Sequence, residues 1–198
     1  GELISLRKTE DVMQDEMIVE MYWRRDERAI EESDKKYGQP LFRLAYNILS
    51  DAEDSKECLN DTYLRAWSSI PPNRPHVLYP YLSKLVRQTS IDLFRRKSRK
   101  KRVTSQYTQS LSELEECVSK GDELQENFDE KILIEMINRW LKTLTPEARI
   151  IFLRRYYFMD SIKELSMYCG LSESKIKSRL FRLRGSLKKY LEREGYYL

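Results

Sequence analysis

Residues 160–191, MDSIKELSMYCGLSESKIKSRLFRLRGSLKKYLE with the flanking Met159 and Glu192, constrain the fold more than any other stretch. Ser161 stands three residues before Glu164, the spacing of a helix-capping box, so a short helix starts at about residue 162. Gly170 breaks it, Leu171 supplies an apolar plug, and Ser172 is placed to cap a second helix. That helix carries Ile176, Leu180, Leu183, Leu187 and Leu191 at the 3.6-residue period. Leu165, Cys169, Leu171 and Ile176 fall where a helix-turn-helix packs its two helices together. Gly170 falls where the turn needs a residue tolerant of positive φ.

The face opposite the apolar stripe points to a ligand class. Between Lys175 and Leu191 there are seven basic residues and no acidic one. Ser174, Lys175, Ser178 and Arg182 point away from the expected core near the helix N-terminus, the end that a recognition helix pushes into the major groove. Lys177 and Arg179 flank that face and suit phosphate contacts. The plain alternative is a solvated basic helix. The turn geometry favours DNA.

With Gly and Pro at six each, there is little punctuation for a many-stranded sheet, and an all-α fold is expected. The net charge of +4 hides strong segregation along the chain. Cys58, Cys117 and Cys169 are odd in number and far apart, which suggests neither a disulfide framework nor a metal site, and a reducing cytoplasm follows as the expected setting. No apolar run approaches a membrane span and no signal peptide is visible, so membrane insertion is not expected.

Residues 1–14 show no period and read as a frayed or disordered N-terminus. Two short helices are expected between Asp15 and Lys36, interrupted near Arg25 and Asp26, and Pro40 is placed to open a third that closes at Ser50 and Asp51. The next helix, 54–67, has two unlike faces. Leu59, Thr62, Tyr63 and Ala66 line one. Glu57, Asn60, Asp61, Leu64 and Trp67 line the other, mixing acid with a large aromatic and an aliphatic residue. Either a protein partner or another part of the same domain covers that second face.

Residues 68–80 hold four of the six prolines and make a stiff loop. Its Asn73, Arg74, His76 and Tyr79, with Tyr81 just beyond, suit holding a flat ring that has left a stack; a rigid connector is the alternative. Pro80 opens a long helix with Leu82, Leu85, Val86, Thr89 and Leu93 inward and Lys84, Arg87, Gln88 and Arg95 outward. From residue 84 to 102, a run that includes Arg96, nine basic residues stand against Asp92 alone, a second electrostatic footprint for nucleic acid. A nuclear-type address or a membrane patch has the same charge pattern, but Gln88 and the upstream aromatics favour bases and phosphates.

Residues 103–130 change character, with eight acids against Lys120, and read as a flexible acidic linker containing at most a short helix at 111–118. Such a strap relaxes to roughly 28 Å and extends to about 85 Å, enough for about two turns of duplex. A second domain, 131–198, then begins with an amphipathic helix through Leu133, Ile134, Ile137, Trp140, Leu141 and Leu144. Thr145 and Pro146 cap a further helix through Ile150, Ile151, Leu153, Tyr157 and Phe158. The expected whole is two small helical domains, 15–102 and 131–198, the second a helix-turn-helix.

Taken together, residues 52–67, 81–96 and 144–184 in this order resemble bacterial RNA polymerase sigma factors of the extracytoplasmic-function type, over nearly the whole chain. The resemblance implies a region 2-like domain at 15–102 and a region 4-like domain at 131–198. It implies that Glu57, Asn60, Asp61, Leu64 and Trp67 dock on the clamp coiled coil of the largest subunit of core RNA polymerase, with Asn60-Asp61 standing where Gln-Glu is more usual. It implies that Asn73–His76 with Tyr81, Lys84, Arg87 and Gln88 capture an unstacked base of the minus-ten element. Tyr81 replaces the more usual Trp there and Gln88 the more usual Asn, so base preference does not carry over. Ser174, Lys175, Ser178, Arg179 and Arg182 match the reader of the minus-thirty-five element. The implied partners are core polymerase and promoter DNA, with an anti-sigma factor as a further one. One histidine, no phosphate-cradling glycine loop and no metal-ligand spacing argue against an enzyme, a cofactor or a small-molecule substrate. Two other readings stay open: a stand-alone helix-turn-helix repressor, against which Leu64 and Trp67 argue, and a polymerase-binding adaptor, against which the basic face from Lys175 argues.

Overall fold

The structure, a computed structural model, describes residues 13–99, 104–118 and 130–196. The expectations for residues 1–12, for Lys100, Lys101 and Arg102, for the Cys117 side chain and for residues 119–129 lie outside them. Every regular element among the described residues is an α-helix. The chain divides into two compact units, Gly1–Lys100 and Lys101–Leu198.

In the first unit, α1 (Asp15–Trp23), α2 (Arg28–Leu49), α3 (Ala52–Ser69) and α4 (Leu78–Ser98) pack around one core. Ile18, Val19 and Tyr22 of α1, Leu41, Leu44 and Ile48 of α2, Cys58, Tyr63 and Ala66 of α3, and Leu82 and Val86 of α4 are all buried. Pro40 does not open a helix as expected. It lies inside α2, which runs unbroken from Arg28. The missing proline N–H forfeits one helical bond, but Ala29, Ser33, Leu41, Leu44 and Ile48 face the core along the whole length, and that burial outweighs the lost bond. Gly38 sits in the same stretch because a Cβ there would come within 2.5 Å of the Asp34 carboxylate, which accepts a hydrogen bond from Tyr63 Oη at 2.8 Å.

Ser50 ends α2 in the left-handed conformation, φ 54°. Asp51, expected to close that helix, instead caps α3 by accepting from the Asp54 backbone N–H. The long basic helix starts at Leu78 rather than at Pro80, and its first backbone N–H donates to Asp15 Oδ2 at 2.7 Å. The same carboxylate accepts from Lys36 Nζ at 2.7 Å and Tyr37 Oη at 2.6 Å, so one residue of α1 ties α2 to the start of α4.

In the second unit, α5 (Gln106–Val118), α6 (Glu130–Thr143), α7 (Pro146–Tyr156), α8 (Ile162–Cys169) and α9 (Glu173–Arg193) share a core of Met136, Trp140, Ile151, Phe152, Tyr156, Leu165, Ile176, Leu180, Leu187 and Leu191. Thr145 caps α7 with Pro146 at its first turn, Ser161 and Glu164 form both bonds of a capping box on α8, and Ser172 caps α9. Gly170 takes φ 63° at the end of α8. The buried register of α7 is Ile151, Phe152, Arg155 and Tyr156, while Ile150 and Ile134 are exposed, against expectation.

The acidic stretch expected as linker contains α5, a helix of 13 residues that packs on α7 and α9. Its acids do more than repel one another. Glu113 accepts from Arg155 Nη2 at 2.6 Å and from Tyr156 Oη at 3.0 Å, and the Arg155 side chain is 1% exposed. A guanidinium withdrawn from water needs a matched carboxylate, and composition alone did not single out which of eight acids supplies it.

Candidate functional site

Three exposed surfaces collect the residues singled out in the sequence. The first is the outward face of α9. Ser174, Lys175, Lys177, Ser178 and Arg182 are exposed, and the core residues Ile176, Leu180, Leu187 and Leu191 lie opposite. The first turn of α9 is held by Ser172, so the helix N-terminus and its partial positive charge stay fixed beside Ser174 and Lys175. Arg179 is half-buried and pairs with Glu147 of α7 at 2.5 Å, an ion pair open to solvent that a phosphate can replace. Phe181 was missed: it is 71% exposed, on the same face as Ser174 and Ser178 by helical phase. An apolar residue breaking the polar side of the wheel was the signal for it. Arg184 donates to Tyr156 Oη at 2.9 Å and stands 3.6 Å from Glu113, so α5 abuts one flank of the basic face.

The second surface is the loop between α3 and α4 with the outer side of α4. Asn73, Arg74, His76, Lys84, Gln88, Arg95 and Arg96 are exposed, and Arg87 is half-buried. Tyr79 and Tyr81 turn partly inward. Tyr79 packs on the Tyr37 ring at 5.2 Å, and Tyr81 Oη shares a hydrogen bond with Ser69 Oγ at 2.6 Å. Arg74 is already engaged, donating to Glu20 Oε2 at 2.6 Å with its guanidinium 4.9 Å from the centre of the Trp23 ring. Sequence reasoning missed Glu20 and Trp23 because α1 is distant in sequence from the loop.

The third is the acidic side of α3. Glu57, Asn60, Asp61 and Leu64 are exposed, Leu64 by 60%. Trp67 is not the exposed aromatic expected. It is half-buried, with the Arg25 guanidinium 5.3 Å above its ring and Tyr22 packed at 6.2 Å, and its carbonyl accepts from Arg25 Nη1. Withdrawing indole surface from water is itself favourable, and the cation over the ring adds to it. Asn60, Leu64 and Trp67 form one wall of an open groove of about 610 Å³. The other wall, Glu27 at the N-cap of α2 with Ile30, Glu31 and Asp34 of that helix, was also missed, although the recurrence of acids at 27, 31 and 34 is a helical period.

Among the described residues no helix is long and apolar enough to cross a membrane, and no cluster of three His, Cys, Asp or Glu side chains is arranged to hold a metal ion.

Two helical units, one of them a helix-turn-helix with an outward basic face, define the class of a multi-domain DNA-binding transcription protein. A family model for Sigma-70 region 2 matches residues 35–100, and one for Sigma-70, region 4 matches residues 134–187. The chain belongs to the RNA polymerase sigma factors of the extracytoplasmic-function type, which direct promoter-specific transcription initiation. It is similar to RNA polymerase sigma factor SigV of Bacillus subtilis (strain 168), 26% identical over 146 residues that make up 73% of this chain and 80% of that protein. It is also similar to ECF RNA polymerase sigma factor SigE of Mycolicibacterium smegmatis (strain ATCC 700084 / mc(2)155), 22% identical over 162 residues, 81% of this chain and 61% of that protein. Among solved structures, that of CnrH in complex with the cytosolic domain of CnrY aligns with a TM-score of 0.42 at 16% identity, covering 90% of this chain and 97% of that one.

Proposed function

We propose that this sigma factor works by position, with its three surfaces acting on polymerase, duplex and single strand in turn. Glu57, Asn60, Asp61 and Leu64, with Trp67 at the edge, dock on the clamp coiled coil of the largest polymerase subunit. Ser174, Lys175, Ser178 and Arg182 read base edges of the minus-thirty-five element in the major groove, while Lys177 and Arg179 contact phosphates. Asn73, Arg74, His76, Tyr79, Tyr81, Lys84, Arg87 and Gln88 receive an unstacked base of the minus-ten element, and Arg95 and Arg96 hold the backbone beyond it. The protein itself catalyses nothing and works in the cytoplasm, and an anti-sigma factor, where one acts, covers one of these surfaces.

The observation that carries the reading is the exposure of Ser174, Lys175, Ser178 and Arg182 together on one face of a capped helix that follows a helix-turn-helix bend. A basic helix packed for other reasons would have no need to keep two small serines outermost, where a backbone can approach a base edge closely. Footprinting of the polymerase complex tests it. Two protected patches about two helical turns apart are expected, with permanganate-reactive thymines at the downstream one. A single protected patch, or none, contradicts the division of labour.

A further inference from the structure

Arg74 lies in an arrangement that its role in the loop does not require. Its guanidinium stands over the Trp23 ring at 4.9 Å, and Glu20 holds it from the side at 2.6 Å. Glu20 is itself held by Arg24 at 2.7 Å, so two cations share one anion and the cluster stays positive. An exposed ion pair of this kind adds little to the stability of a fold, so stability alone does not account for three residues converging here. The geometric effect is larger than the energetic one. Trp23 and Glu20 restrain the position of a guanidinium whose side chain is still 55% exposed, and Trp23 is 37% exposed beside it. A flat, pre-oriented guanidinium backed by an indole is a surface on which a nucleobase stacks without first ordering the side chain.

We infer that Trp23 and Glu20 extend the minus-ten surface through Arg74 into a stacking platform for a second unpaired base of single-stranded DNA, next to the base held at Tyr81 and Gln88. Trp23 and Glu20 belong to α1, which precedes residues 35–100 matched by the region 2 model, so family matching assigns them nothing. Asn73 and His76, exposed on either side of Arg74, offer hydrogen-bonding groups to the edges of the stacked base. The platform extends the single-strand path from the loop onto α1, and the net positive charge around Glu20 suits the phosphates between two such bases. This rests on the reading of residues 73–88 as the minus-ten surface.

The test uses the full chain assembled with core polymerase on a promoter fragment found by run-off transcription, with 5-iodouracil placed across the non-template strand of the minus-ten region. A photocrosslink to Trp23 is expected. Trp23→Leu and Arg74→Lys should each lower open-complex formation roughly tenfold, with minus-thirty-five protection and polymerase binding intact, since stacking of one base on such a surface is lost. Trp23→Phe should retain most of the activity. Arg74→Lys keeps the charge and the Glu20 partner and reads the flat guanidinium where Trp23→Leu folds poorly, while the crosslink at Trp23, which lies outside the minus-ten surface, separates the platform from that surface. Open complexes at the parental level in both Arg74→Lys and Trp23→Phe/Arg74→Lys, with crosslinks confined to Tyr81 and its neighbours, overturn the platform alone. Unchanged opening in Tyr81→Ala and Gln88→Ala overturns the minus-ten reading and the platform with it.

Discussion

Glu113 of α5 and Arg155 of α7 form a two-point ion pair, 2.6 Å at Nη2 and 3.2 Å at Nε, around a guanidinium that is 1% exposed. Arg155 also donates from Nη1 to Gln106 Oε1 at 3.0 Å and to the Asp160 carbonyl at 2.7 Å, so four of its five N–H donors are used. This pair makes α5 part of the second, helix-turn-helix unit.

Removing the carboxylate leaves that guanidinium buried without its counter-charge. Glu113→Ala is expected to destabilise the second unit by about 3–5 kcal/mol. Hydrogen exchange measured by mass spectrometry should show protection lost across α5 and α7, while peptides of the first unit exchange as in the parent. Undiminished protection in α7 would mean that Arg155 is satisfied without α5.

Asp15 plays the corresponding part in the first unit. Partial burial pushes its carboxyl up, but hydrogen bonds from Lys36, Tyr37 and the Leu78 backbone outweigh this and hold it below the usual carboxylate range. A folded-state value below the unfolded one means that the stabilisation is complete above the unfolded value and is lost as pH falls through the folded value. Stability at neutral pH should therefore exceed that of Asp15→Asn by about 1–3 kcal/mol. The difference should shrink as the pH drops below about 4, read from thermal melts at a series of pH values. A gap that stays constant down to strong acid would contradict the ion pair.

On α9, Lys175→Ala, Ser178→Ala and Arg182→Ala should each cost about 1–3 kcal/mol of discrimination at one base pair where the side chain reads a base edge. Phe181→Ala should relax preference for a thymine, because an exposed ring on that face meets the thymine methyl group. Binding of the polymerase complex to promoter variants measures both. Unchanged promoter choice in all four variants would remove the recognition face from α9.

Reversing the charge at Glu57 and Asp61 should abolish association with core polymerase while circular dichroism remains that of the parent. Both residues are exposed, and no core contact of the first unit is built on them. Glu27 and Glu31, on the opposite wall of the groove, should give a smaller loss, since they flank the face instead of forming it. Co-purification of the double reversal with polymerase would move the docking face elsewhere.

The local signals of the second unit were legible residue by residue. Ser161 with Glu164, Gly170, Ser172 and Thr145-Pro146 each mark a helix end by chemistry that acts within four residues, and the caps formed as the spacing implied. What was not legible depends on partners distant in sequence. Pro40 looked like a helix start because its local cost is visible and the burial of α2 that overrides it is not. Residues 103–130 looked like a strap with at most a short helix at 111–118 because eight acids dominate the composition, whereas contacts distant in sequence, among them Glu113 to Arg155 across 42 residues and Gln106 to Arg155, hold a helix over 106–118. Trp67 looked exposed because Arg25 and Tyr22, which cover it, arrive from another helix. The exposure of Ser174, Lys175, Ser178 and Arg182 was legible and the supporting contacts of the candidate surfaces were not, since side chains that face solvent answer to their own helix and those that face inward answer to the rest of the fold.

Run-off transcription by purified core polymerase on genomic fragments tests the central claim most directly. Added parent protein should give discrete transcripts from defined start points, which vanish with the Glu57 and Asp61 charge reversal and change in promoter choice with Arg182→Ala. Transcripts that start at scattered positions, or that persist with the docking face reversed, would contradict the account.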